Sequence, residues 1–375
     1  MDFLPVEKAV LEAVDQGVFP GAVLLVGRED EIVYQQAFGS RLLVPDKSPM
    51  QVETIFDLAS LTKPLATSLA IMLLVREKKV RLDDRVTRFL PTFGVFGKNY
   101  TTLRQLLNHS SGLAAWKPFY EDIVKAERAG KINFVASRAA QQYVLGQIHG
   151  GRPESAPGTQ AVYSDLGYMI LGEIVETVSA ATLDRFCQDK IFKPLGLRST
   201  AFVDLTQIRT KKLQPIEEMI APTENCPWRK KILCGEVHDD NAYAMGGVVG
   251  HAGLFSCARD IHQLLARLSR CVHGKDKFLP QLLVEEFCTK DATLKESSYA
   301  LGWDTPSSSH SASGSLFSPR SVGHLGFTGT SVWWDQEKDC HVILLSNRVH
   351  PTRKNEKIRE FRPYVHDLIM QGLHP

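Results

Sequence analysis

The spacing of apolar and polar positions divides the chain into two strand-bearing ends and a helical middle. Apolar residues at helical spacing predict a helix from Pro5 to about Gln16. A Gly/Pro turn follows, then an uninterrupted apolar run from Ala22 to Val26. Beyond the polar break Arg28-Glu29-Asp30 comes a second strand, Glu31 to Phe38. The helical period returns from Leu61 to about Glu77, and the charged stretch Lys78 to Asp84 leads into a polar region that reaches about Met245. Within it, Leu103 to Leu107, Ala136 to Gln147, Leu166 to Val178 and Leu183 to Ile191 read as helices. The Gly-rich stretch GGVVGHAGLFS, Gly246 to Ser256, ends this region, and a helix near Ala258 to Cys271 follows. Strands are predicted again at Ser331 to Trp334 and His341 to Ser346, and a final helix from about Asn355 to Met370. The run Ser307 to Ser315 reads as a loop. There is no internal repeat.

Strands at both ends with helices between them predict an α/β (α+β) fold. In it residues 1–78 and 246–375 supply one sheet and residues 79–245 form an inserted, mostly helical part. A cleft between the two is the natural place for a site.

Composition narrows the function classes. Lys and Arg number 44 against 42 Asp and Glu, so no basic surface points to nucleic acid or an anionic membrane. The most apolar stretch, Ala70 to Val75, falls far short of the roughly 20 residues that span a bilayer, so no membrane insertion is expected. Asp2, Glu7 and Lys8 stand where a signal peptide would carry a basic and then an apolar segment. A cytoplasmic address is therefore expected, or a periplasmic one for a mature form whose leader has been removed. Seven cysteines, an odd number with no C-x-x-C pair, suit reduced thiols. The 12 histidines lie in no recognised ligand spacing, so neither a metal nor a cofactor is expected, and the oligomeric state is left open.

Three short motifs carry chemistry. In DLASLTKPLATSLA, Ser60 and Lys63 stand at i, i+3 where a helix begins, so hydroxyl and amine share one face. A serine hydroxyl needs a group to take its proton, and a lysine does so once burial or nearby positive charge lowers its pKa. The bland alternative is a helix cap beside a solvated lysine. Tyr163-Ser164-Asp165 precedes the helical run LGYMILGEIVE. A tyrosine beside an ammonium can act as general base, whereas the bland reading has Asp165 capping the helix. In GHLGFTGTSVWWD, Gly323 to Asp335, a Gly-rich turn enters a strand, and a backbone amide there can join that of Ser60 as an oxyanion hole. No G-x-S-x-G elbow occurs, which removes the α/β-hydrolase alternative.

Together with FPGAVLLVGRED, LLNHSSGL, FKPLGLRST and LLSNRVHPTR, these motifs resemble the serine β-lactamase and penicillin-binding-protein superfamily across nearly the whole chain. The likeness is to its class C-like branch, which includes family VIII carboxylesterases and DD-peptidases. The resemblance implies an antiparallel sheet flanked by the terminal helices, acylation of Ser60 assisted by Lys63 and Tyr163, and an oxyanion hole from the amides of Ser60 and Phe327. It also places His324 and Gly326 in the third motif and Asp165 in the second. Asp165 stands where an asparagine is usual and His324 where a lysine is usual, and both departures weaken the case for β-lactam hydrolysis. The stretch Gly235 to Ser256 is similar to a subgroup of peptidoglycan-fragment amidases and DD-peptidases, a likeness in which His238, Asp239 and His251 border the site. Arg348 could meet a substrate carboxylate or anchor the C-terminal helix. The expected activity is cleavage of small esters, with a D-alanyl peptide or muropeptide, or weak β-lactam hydrolysis, as alternatives. A binding protein that kept the fold and lost the chemistry is the reading from another class.

Overall fold

A computed structural model describes residues 1–294 and 296–373. Its centre is a six-stranded antiparallel sheet. The spatial order is Ser48–Pro49, Glu31–Leu42, Gly21–Arg28, Cys340–Ser346, Ser331–Asp335, Ser321–Leu325. The two ends of the chain meet in its middle, where Ala22 pairs with Ser346 and Arg28 with Cys340.

The uninterrupted apolar run at Gly21–Arg28 is explained by burial on both faces, since successive side chains of a strand point to opposite sides. Ala22, Leu24 and Val26 pack with Val342 and Leu344 against Val6 and Val10 of the helix Leu4–Asp15 and Phe361 and Val365 of Ile358–Leu373. Val23, Leu25, Ile343 and Leu345 face the other way, towards Ile261 and Leu265 of the helix Ala258–Val272 and towards Leu69 to Leu74. That second core continues without a break into Leu103, Leu106, Ile170 and Leu171, so sheet and helical middle share one apolar interior.

Four features depart from the sequence pattern. A helix that the sequence pattern does not predict occupies Phe119–Arg128. The Gly-rich turn is preceded by an edge strand, Ser321–Leu325, that includes His324. A small sheet in the order Phe56–Asp57, Leu254–Ser256, Ala201–Phe202 ties the approach to Ser60 to the Gly-rich stretch. Finally, the helical segment from Ala59 to Arg76 is not uniform: a 3₁₀ turn (Ala59–Leu61) passes through a π-type stretch (Lys63–Ser68) before becoming α-helical at Leu69–Arg76. This segment is long and apolar enough to cross a bilayer by length and composition, yet 83% of it is buried inside the protein. It is the core helix of the fold, and its wide π turns lie next to Ser60, where such irregularities recur at functional sites.

Candidate active site

Ser60 sits at the start of this helical segment and is presented by a strained backbone. The preceding Ala59 has φ 47°, a left-handed conformation costly for a residue with a Cβ. Buried Asp57 holds it there: one carboxylate oxygen accepts the Ala59 amide at 2.8 Å and the other the His238 amide at 2.6 Å. The neighbouring carbonyls are held as well, Asp57 O by the Thr328 hydroxyl (2.7 Å) and Leu58 O by the Thr330 hydroxyl (3.1 Å). The sequence motifs gave no indication of Asp57, Thr328 or Thr330, whose partners are remote in the chain.

Lys63 is 0% exposed, which excludes the solvated-lysine reading. Its Nζ donates to Ser60 Oγ at 3.0 Å, to Asp165 Oδ1 at 2.7 Å and to the His251 carbonyl at 3.2 Å. It also lies 4.8 Å from the centroid of the Tyr163 ring. Burial pulls the ammonium's pKa down, but the Asp165 carboxylate and Tyr163 outweigh it and the net direction is up. Here the structure corrects the sequence reading, because burial does not turn Lys63 into a free amine: an opposite charge keeps it protonated.

Asp165 differs from expectation in the same way. The helix Asp165–Ser179 is capped by Ser164, whose hydroxyl accepts the Gly167 amide at 3.2 Å, and this leaves the Asp165 carboxylate free to reach Lys63. Its acceptor capacity is thus directed to the lysine, while 16% of the side chain stays exposed. The segment is locked by the loop that follows Leu103–Leu107: Val162 N bonds His109 O, Ser164 N bonds His109 Nδ1 and Asp165 N bonds Ala115 O. The His109 ring packs 4.6 Å from that of Tyr163. Burial raises the Tyr163 phenol, and the charge of Lys63 and hydrogen bonds with Lys63 and Ser60 only partly offset it, so the resting tyrosine is protonated.

The third motif forms the opposite wall. Among the described residues no acceptor takes the amide of Phe327 or of Ser60, although the amides of Ala59, Leu61, Gly326 and Gly329 are all bonded. Buried Arg362 donates to Gly326 O at 3.2 Å and to Thr330 O at 2.8 Å. Because the Gly326 carbonyl and the Phe327 N–H belong to one planar peptide, fixing the carbonyl fixes where the N–H points. Gly326 has to be glycine, since a Cβ there would lie 2.0 Å from Thr330 Oγ1 and 2.6 Å from Leu58 O. His324 is buried, its Nδ1 2.9 Å from the Leu325 carbonyl, and burial followed by the Lys63 charge lowers its pKa to about 3, so it is neutral.

These residues line a cleft of about 620 Å³, together with Trp116, His238, Asp239, Tyr299, Asp304 and Arg348. Two candidates reach the site through the backbone rather than by facing a substrate. His251 is 1% exposed and its ring faces Asp239 at 3.0 Å, so it is the carbonyl, not the side chain, that reaches the site through Lys63. Arg348 directs Nε to Phe327 O at 2.9 Å and Nη1 to the carbonyls of Arg353 and Asn355, which is the anchoring role. Arg362, Asp304 and Tyr299 were not singled out by any motif.

The family model described as Beta-lactamase matches residues 6–363. The chain belongs to the beta-lactamase family. As a member of it, the protein is a serine hydrolase of the β-lactamase and penicillin-binding-protein fold. Curated relatives from Escherichia coli K12 and Salmonella typhimurium LT2, both named "Putative D-alanyl-D-alanine carboxypeptidase", are 33% identical, each match covering 92% of this chain and 82% of the relative. Among solved structures, simvastatin synthase (LovD) from Aspergillus terreus is similar with TM-score 0.73 at 20% identity, covering 100% of this chain and 99% of that one. EstCE1, described as a hydrolase with promiscuous acyltransferase activity, aligns with TM-score 0.71 at 21% identity over 96% and 97%. At such identities these likenesses establish the fold alone.

Proposed function

We propose that the protein hydrolyses small carboxylic esters through an acyl-enzyme on Ser60. The observation that carries this reading is the Lys63 ammonium, 3.0 Å from Ser60 Oγ and held from behind by Asp165, opposite two unengaged amides. Ser60 Oγ attacks the ester carbonyl and its proton passes into the Lys63–Tyr163 pair. The amides of Ser60 and Phe327 receive the oxyanion, and the alcohol leaves with a proton returned from the pair. Water repeats the sequence on the acyl-enzyme and releases the acid.

An ester suits the site better than a β-lactam or peptide. Asp165, an acceptor already engaged by Lys63, cannot donate to an acyl-amide carbonyl, and neutral His324 supplies no charge for a substrate carboxylate. A second reading, a D-alanyl peptide as substrate, is favoured by the names of the 33% identical relatives. Parallel assays with p-nitrophenyl butyrate and a D-Ala-D-Ala peptide distinguish the two. The ester is expected to turn over faster, and a higher kcat/KM for the peptide would transfer the site to the second reading.

The charges also set a pH dependence. With Lys63 held protonated and Tyr163 neutral, the pair accepts the serine proton only after losing one of its own, so kcat/KM rises with pH on the alkaline side. Asp165→Asn removes the main influence raising Lys63, leaving Tyr163 alone against burial, the largest influence, which lowers it. The rising limb should therefore move to lower pH. A limb that stays in place or moves up would show that Asp165 does not control this proton.

A further inference from the structure

We infer that the cleft contains a cation subsite, Asp304 set beside the ring of Tyr299, that selects substrates carrying an organic ammonium group. Asp304 lies just outside the edge strand, paired antiparallel with both Gly323 and Tyr299, and lines the cleft beside His324. Its carboxylate is engaged, among the described residues, by neutral donors alone, the Thr305 amide at 2.9 Å and the Ser298 hydroxyl. Among the described residues no Lys, Arg or His forms an ion pair with it. Neither the Lys63 ammonium, which is committed to Asp165, nor His324 and His109, both kept neutral by burial, supplies a counter-charge. A largely buried carboxylate without a counter-charge is costly, and burial accordingly pushes its pKa up.

The surroundings indicate what would complete it. Tyr299, paired with Asp304, lines the cleft, and Trp116 is an exposed aromatic on the same cleft. Aromatic faces attract a cation held near them, and a single carboxylate with aromatic walls suits an ammonium rather than a hard metal ion, which requires several oxygen ligands. An ammonium-bearing substrate would bring Asp304 the positive charge with which no described side chain pairs it.

The inference rests on Ser60 being the acylated serine, and the test separates the two. The probes are two isosteric pairs of esters. One is acetylcholine with 3,3-dimethylbutyl acetate, and the other is the p-nitrophenyl esters of 4-(trimethylammonio)butyrate and 5,5-dimethylhexanoate. Wild-type protein is expected to favour the cationic member of at least one pair by about tenfold in kcat/KM. Asp304→Asn and, independently, Tyr299→Leu should each reduce that ratio. Ser60-dependent hydrolysis without a preference in either pair, or a preference retained in both variants, would overturn the subsite and leave the hydrolase reading intact. Ester hydrolysis that persists in Ser60→Ala would overturn both.

Discussion

Ser60→Ala is expected to remove ester turnover and covalent acylation together, by on the order of 10⁴-fold or more, the scale on which loss of a nucleophile acts. The fold should survive. Ser60 Oγ takes a hydrogen bond from Lys63, and without it Lys63 keeps Asp165 and the His251 carbonyl. Losing one such bond costs about 1 kcal/mol, a shift of a few degrees in Tm at most. Ala59 and the Asp57 clamp are untouched, because they hold backbone rather than the hydroxyl. Intact-protein mass after incubation with p-nitrophenyl butyrate or a penicillin reads acylation directly, and product release reads turnover. An adduct of the same added mass on the Ser60→Ala variant would place the nucleophile elsewhere. A binding protein that had lost its chemistry would form no adduct in either form.

The long elements were legible in the chain because they carry a period. Gly21–Arg28 reads as a two-faced strand from its unbroken apolar run, and the helices Leu4–Asp15 and Ile358–Leu373 read from helical spacing. Strands of two residues, such as Phe56–Asp57 and Ala201–Phe202, have no period to detect, and they are formed by pairing with Leu254–Ser256 far along the chain. The edge strand Ser321–Leu325 was hidden for a related reason: its glycine and the glycines after it read as a turn, while its pairing with Ser331–Asp335 makes it a strand. The site divides along the same line. Ser60 and Lys63 are legible because three residues on a helical path bring them together, and that survives the change from 3₁₀ to π geometry. The role of Asp165 is not legible, since its partner lies 102 positions away and the local pattern favours a cap. Arg362 lies inside a helix whose apolar face is its only visible signal, and only the fold carries its guanidinium to the Gly326 carbonyl.

Lys63→Met should lower kcat/KM for a neutral ester by about 10³-fold, within the range for a positioned acid–base group. Methionine is apolar and of similar length, so it fills the buried space with little repacking. The charge left on Asp165 is the separate consequence. Removing one partner of a fully buried ion pair costs about 3–5 kcal/mol, and the cost here should be smaller because 16% of the Asp165 side chain reaches solvent. The double variant Lys63→Met/Asp165→Asn removes the orphaned charge, so its Tm should recover relative to Lys63→Met while its activity stays low. A double variant that regained activity along with stability would mean that Lys63 serves only to hold the Tyr163–Asp165 segment in place. The residual activity carries its own signature. The Lys63 charge is the foremost influence pulling the Tyr163 phenol down against burial. Without it the phenol rises further, so whatever activity remains in the single variant should require higher pH than wild type, opposite to the shift expected for Asp165→Asn alone.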